Sequence, residues 1–361
     1  MAESSYEFAI FGSTPMAGLL AGLLANVHKK RVCLVGDPMS AYRLARGLDL
    51  SAMPATRPET WALLTRTRPE TIKLIGKIAG RAGFRRIDPI IIGETPAGVE
   101  ALAHMSHVAR GFGQSMERIA EFPVTAGGAA YRLRDIVDIR RTRFEPLLED
   151  WLARSNVGRI SARIAAVTLR RDGSARIDAG GRSYEATHSV LADDAAILNH
   201  LDVDERDRVL RVETTTTLLT EPARRLTAPV MIYLDRGVIL NQRASRGIAA
   251  LSTGRPDQAL ARIGSSLGRQ ENLRRAGQTV FKTIATVDGA PLVGPTRAVK
   301  ATVLAGLGVA GAFLAPALAR LIAGVASDAE RSYFSAHEAG RGSARAIVAD
   351  YQGALALEAQ Q

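Results

Sequence analysis

Gly12, Thr14 and Ala17 stand where three glycines stand in a phosphate-cradling turn, inside the run AIFGSTPMAGLLAGLLANVHKKRVCLVGD, residues 9–37. An apolar run, a tight turn, an apolar helix and a second apolar run read as the strand–helix–strand unit that seats a dinucleotide. In that turn the first glycine bends the chain, the second lets a pyrophosphate reach the backbone, and the third lets helix pack on strand. Gly12 meets the first need and Ala17 the third, while Thr14 fills the second, with Pro15 and Met16 behind it. The acidic residue that would end the second strand and hold a ribose hydroxyl is displaced: Gly36 sits there and Asp37 follows. Two outcomes are open. Either backbone N–H groups at the helix start bind a phosphate anion, or the unit keeps the shape without the ligand.

Other chemistry is sparse. His104 and His107 have H-x-x-H spacing but no carboxylate or cysteine partner, so no metal site is expected. There is no Ser-His-Asp order, nucleophile elbow or P-loop. The lone cysteine, Cys33, excludes an internal disulfide and fits a reducing compartment. With Glu3 and Glu7 near the start and no basic segment, a cytoplasmic protein is expected. The longest apolar stretch, 301–319, carries Gly306, Gly308, Gly311 and Pro316, so no membrane span is expected. Net charge is +11, mostly from dispersed arginine. That fits a surface with affinity for anions. No nucleic-acid motif accompanies it, so no nucleic-acid partner is expected.

The elements that must position these residues follow from periodicity. At 361 residues and 47% hydrophobic content the chain has room for two domains. Residues 40–50 and 59–84 have helical spacing, interrupted by Pro54, Pro58 and Pro69. A strand, a turn and a helix follow over 85–113, then a β-rich run over 128–139. Residues 143–155 form an amphipathic helix with Phe144, Leu147, Leu148, Trp151 and Leu152 on one face. Alternation over 160–194, with turns at Asp172-Gly173 and Gly180-Gly181, reads as a meander ending in a buried strand at 189–192. Strands fill 211–254, a helix 256–277 and strands 279–294. Residues 301–326 give a strand, a glycine turn and a long helix, and the tail is helical. The expected fold class is α/β. A Rossmann-like domain from 1–45, 136–204 and 286–350 is interleaved with an α+β domain from 46–135 and 205–285, built on an antiparallel sheet. Residues 351–361 form a tail.

Four motifs in this order resemble the D-amino-acid oxidase-like FAD-dependent oxidoreductases, the group of glycine oxidase, sarcosine oxidase and amine dehydrogenase FAD subunits. They are AIFGSTPMAG; HSVLADDAAILNHL after the meander; TVDGAPLVGPT at 286–296; and VLAGLGVAGAFLAPALARLIAG at 303–324. The third is the best match. The resemblance spans most of the chain, and each motif is loose. It implies FAD as cofactor, held noncovalently, and oxidation of a C–N bond. By the same resemblance Gly12, Thr14, Pro15, Met16, Ala17, Asp37 and Ala192 line the cofactor. Gly306, Gly308, Val309, Ala310 and Gly311 present a helix N-terminus to the flavin ring. Arg43 and Arg46 are the candidates to make up for what Thr14 and Gly36 do not offer the cofactor.

The departures narrow the possibilities. Asp193 and Asp194 replace small neutral residues beside the implied pyrophosphate, where they repel it unless they point outward or meet arginines. The family's carboxylate-clamping arginine precedes the third motif, and here Thr283 stands in its place with Lys282 beside it. An arginine fork gives two parallel hydrogen bonds that neither residue reproduces. The implied substrate is therefore an amine or amino-acid-derived compound rather than a simple free α-amino acid. Lys282 either binds an anion as a point charge or is a solvated strand residue. Lys282, Thr283 and Tyr233 are the catalytic candidates, and Asn241 and Gln242 further polar candidates in the second sheet. The alternative reading is an accessory or maturation protein that keeps the flavoprotein fold and works with a partner protein or a second copy.

Overall fold

The computed structural model describes residues 4–38, 44, 46–53, 55–124, 126–268 and 274–339. Arg43 and the expected tail lie outside the described residues. The strands sort into two large sheets. At the centre of the first lies β1 (Ser4–Phe11), parallel to Arg182–Leu191 on one side and to β2 (Val32–Val35) on the other. Gly158–Ile160 extends it beyond β2, and Thr302–Ala305 and Leu292–Pro295 beyond Arg182–Leu191. Central parallel strands are covered on both faces and read as continuous apolar runs. Ala9, Ile10, Phe11 and all of β2 are accordingly buried. A hairpin, Ala165–Leu169 with Ala175–Ala179, hangs antiparallel on Arg182–Leu191.

The second sheet runs Arg275–Thr286, Leu210–Thr220, Ile248–Thr253, Val238–Gln242, Val230–Tyr233, Ile90–Gly93, Ala129–Leu133, Met116–Arg118. Among the described residues of this sheet, only Val230–Tyr233 and Ile90–Gly93 pair in parallel. The run expected at 128–139 is two strands, because Asp135 adopts φ 56° and turns the chain. Ile136–Ile139 then pairs with Phe84–Ile87 in a separate two-stranded sheet.

The helices are α1 (Pro15–Asn26), α2 (Pro58–Ala79), α3 (Pro96–Gly111), α4 (Arg141–Arg154), α5 (Asp194–His200), α6 (Val203–Val209), α7 (Pro256–Leu267), α8 (Gly311–Ile322) and α9 (Asp328–Ser335). The first core is built where α1, α2, α4 and α8 pack together. Gly22 of α1 lets the Trp151 ring of α4 lie on the helix backbone, and Gly18 admits Leu148. Pro69 does not interrupt α2, which runs unbroken for 22 residues. Burial of Trp61, Leu64 and Ile75 outweighs the one backbone hydrogen bond that proline removes. Thr67 and Thr71, on either side of it, also donate their hydroxyls to the carbonyls of Leu63 and Thr67. Leu147 is 38% exposed and leaves the buried stripe of α4 to Phe144, Leu148 and Leu152. α7 stops at Leu267 because Gly268 turns at φ 70°, so the helix expected to reach 277 gives way to a strand from Arg275. Residues 46–49 are not helical. No helix among the described residues is long and apolar enough to cross a membrane.

Candidate dinucleotide turn and its surroundings

The ends of four parallel strands meet at the turn. The Gly12 N–H bonds the Val35 carbonyl at 3.0 Å, Gly36 bonds Ile160 at 3.0 Å, and Ala192 bonds Phe11 at 2.8 Å. A Cβ on Gly12 would lie 2.9 Å from Ala17 Cβ and 3.1 Å from Asp193 Oδ2. Glycine is therefore required here for space. Thr14 caps α1: its hydroxyl accepts the Ala17 N–H at 3.3 Å, and Pro15 brings no donor. Met16 and Ala17 are buried, with Met16 Sδ against Gly311 at the start of α8.

Two of the donors that could face an anion already have internal acceptors. Ser13 N–H donates to Asp193 Oδ2 at 2.6 Å. Asp37 N–H donates to the Ser13 hydroxyl at 3.1 Å. The other Asp193 oxygen takes the Ala196 N–H at 2.9 Å and so caps α5. The cavity beside Gly12–Pro15 is about 20 Å³, with Asp37, Glu145 and Glu149 in its wall. That is room for about one water. The Asp37 carboxylate accepts from the Ser161 hydroxyl at 2.7 Å and faces Arg163 at 3.5 Å.

Burial dominates the acids here. It raises the Asp193 carboxyl against the pull of the Ser13 and Ala196 amides and of Arg46. It raises Asp194 to about 6, against the Ile284 N–H that donates to its Oδ2 at 3.2 Å. Burial also pushes Glu145 up to about 7, and its Oε1 has no hydrogen-bond partner among the described residues. A carboxyl raised in the folded state binds more protons folded than unfolded, so stability falls as pH rises from its unfolded value to its folded one. For Glu145 that window is about 4.5 to 7. Glu145→Gln is therefore expected to stabilise the chain at pH 8 by about 1 kcal/mol after solvent screening, and hardly at all at pH 4.5. Urea melts of both proteins at the two pH values check this. An equal effect at both would mean that charge is not the cause.

At the C-terminal glycine turn, Gly306 and Gly308 adopt φ 67° and 54°. Val309 receives the Leu50 N–H at 2.8 Å on its carbonyl, and Ala310 and Gly311 are buried. Ala310 precedes α8 without a side-chain cap, so the helix start keeps its positive partial charge.

The catalytic candidates are not brought together. Register and alternation put Lys282 on the face of the second sheet that carries α7, and Thr283 on the opposite face. Tyr233 also turns to α7, its hydroxyl donating to the Ser266 carbonyl at 3.1 Å. Lys282 is exposed and bonds the Thr214 hydroxyl at 3.0 Å, and Thr283 shares a 2.8 Å hydrogen bond with Thr215. Gln242 pins its own hairpin through Leu226 N–H and Arg246 O. Asn241 accepts from Arg85 at 3.2 Å. Arg46 is exposed, its guanidinium 5.1 Å from the Phe281 ring centre. His104 Nε2 meets the Thr56 carbonyl at 2.8 Å, and no group of side chains suited to a metal occurs among the described residues.

Two features have no signal in the sequence. A cavity of about 620 Å³ lies between the start of α4 and the hairpin after Asn241, with Arg85, Asp138, Arg140, Arg141 and Arg243 in its wall. Asp49 and Arg141 form a buried ion pair at 2.6 Å beside it. Asp49, Asp138 and Arg141 are far apart in sequence, and no local spacing announces them.

No family model and no curated protein matches the chain. Solved structures do. An L-proline dehydrogenase from P. horikoshii superposes with a TM-score of 0.72 at 14% identity, over 92% of this chain and 97% of its own. A glycine oxidase from Geobacillus kaustophilus gives 0.67 at 15%, over 91% and 95%. An iminodiacetate oxidase from Chelativorans gives 0.66 at 16%, over 88% and 94%. The chain thus shares its fold with these enzymes along nearly its whole length. The resemblance of its four motifs implies FAD. The start of α8 suits an electron-rich ring edge. The α1 turn does not fit a pyrophosphate as it stands: the Ser13 amide is taken by Asp193, the space beside the turn has room for about one water, and Asp37, Glu145 and Glu149 stand in its wall alongside Arg159.

Proposed function

We propose that the chain is an oxidoreductase acting on a C–N bond of an amine or amino-acid-derived compound, with FAD the cofactor that the fold implies. The observation that carries this reading is the fold likeness over about nine-tenths of the chain to enzymes named for proline, glycine and iminodiacetate, compounds that share a C–N bond. Thr283 in place of an arginine clamp argues against a simple free α-amino acid as substrate. Because the α1 turn does not fit the phosphates, the residues of this chain define no flavin-dependent step.

A second reading is favoured by the Asp193–Ser13 contact: an accessory protein that keeps the scaffold and acts through a partner. One titration separates the two. The absorption spectrum of the purified chain is recorded from about 300 to 600 nm before and after FAD addition and desalting. Retained flavin bands support the first reading and justify an amine screen. A spectrum that stays featureless at millimolar FAD sinks it and leaves the second.

A further inference from the structure

We propose that Asp193 is a built-in substitute for a phosphate, a carboxylate that occupies the anion-binding amide of the α1 turn and holds the dinucleotide crevice shut. The sheet topology creates the contact. β1 and Arg182–Leu191 are parallel neighbours in register from Ser4↔Tyr184 to Phe11↔Leu191, so the residues just past their ends lie side by side. Ser13 and Asp193 are 180 positions apart and meet at 2.6 Å. The carboxylate also reaches within 3.1 Å of where a Gly12 Cβ would stand.

Asp193 makes no ion pair among the described residues. Its charge is balanced by N–H dipoles, from Ser13 on one oxygen and Ala196 on the other, with a weaker pull from Arg46. Backbone N–H groups at a helix start serve a bound phosphate in the same way. A pyrophosphate arriving here would have to displace the carboxylate and then sit beside it, anion against anion, in a half-buried site where such repulsion is poorly screened. Since Oδ1 is tied to α5, the side chain cannot swing away without uncapping that helix.

The carboxylate blocks the crevice whether or not the chain is an enzyme. The test measures binding of FAD, ADP and riboflavin to the full chain, by flavin fluorescence and by calorimetry for ADP. Asp193→Ser keeps a hydroxyl to cap α5 and removes the carboxylate. Asp193→Asn keeps the shape and removes only the charge. The expected result is that Asp193→Ser binds FAD and ADP at least tenfold more tightly than the natural chain, and Asp193→Asn by a smaller factor. Riboflavin, which has no phosphate, is bound equally by all three. Natural chain that binds FAD and ADP as tightly as the variants overturns the proposal. So does a folded variant that gains nothing, or riboflavin affinity that rises in step with FAD. If Asp193→Ser does not fold, the Asn variant carries the same test. FAD gained without amine turnover leaves the blocked crevice standing and counts against the catalytic reading.

Discussion

Gly36→Ala is expected to destabilise the chain by about 3 kcal/mol or more, a large effect for one added methyl group. A Cβ at this position would fall on the Gly12 carbonyl oxygen, well inside contact distance, with the Gly12 carbonyl carbon at 2.8 Å and Ser13 Oγ at 3.0 Å behind it. The obstacle is backbone, so no rotamer change can relieve it. Both strand ends are fixed by hydrogen bonds, Gly36 to Ile160 and Gly12 to Val35, each at 3.0 Å. Gly76 supplies the control. It lies exposed inside α2, where a Cβ meets nothing within 4 Å. Alanine there should stabilise by up to about 1 kcal/mol through helix propensity alone. Urea unfolding of the two variants should therefore move the midpoint in opposite directions. A Gly36→Ala protein as stable as its parent would show that the two strand ends can part at little cost.

Asp49→Ala should cost about 3 kcal/mol. Asp49 and Arg141 are both largely buried and meet at 2.6 Å, with side-chain exposures of 8% and 19%. Removing the acid leaves a guanidinium with reduced solvation and with Glu145, itself raised to about 7, as a poor substitute. The effect comes from the stranded charge more than from the missing attraction, and this makes a sharper test available. The double replacement Asp49→Leu with Arg141→Met should recover most of the loss, because two apolar side chains leave no uncompensated charge. If the double variant is as unstable as the two single losses added together, packing rather than charge is the cause. The pair also sits where the first core meets the small sheet of Phe84–Ile87 and Ile136–Ile139. Ile139 N–H bonds the Asp49 carbonyl at 3.0 Å, so local hydrogen exchange should rise there first.

Much of the fold is legible in the sequence because its signals are local. The opening strand–turn–helix, the meander, the amphipathic stripe of α4 and the C-terminal glycine turn each announce themselves within one continuous run of sequence. Expectation and structure part where a local rule meets a tertiary one. Pro69 obeys its rule in isolation, yet α2 continues because both of its halves bury large side chains on the same layer. Asp135 reads as one more residue in a β-rich run, yet its left-handed backbone sends the strands on either side into different sheets. The site is legible as a set of positions and not as an arrangement. In sequence, Asp193 is an anion near an implied anion, with outward rotation or an arginine as the expected escapes. The structure turns it inward instead: its hydrogen-bond partner is a backbone amide 180 residues away, and Arg46 adds a weaker pull. Lys282 and Thr283 are adjacent in sequence, and strand alternation alone sends them to opposite faces. The large cavity has no sequence signature, being made from α4, a hairpin and the end of a strand that share no spacing.

The order of strands in the first sheet also bears on how the chain must be made. β1 is made before the other strands of this sheet, but one of its neighbours comes from residues 182–191, and the strand beyond that from residues 302–305. Until those segments have been synthesised, β1 has one finished edge and one open one. Parallel pairing over such separations is slow and exposes apolar strand edges meanwhile. Assembly of this sheet consequently waits for residues 302–305, and premature termination anywhere before residue 302 leaves an aggregation-prone fragment rather than a smaller folded protein.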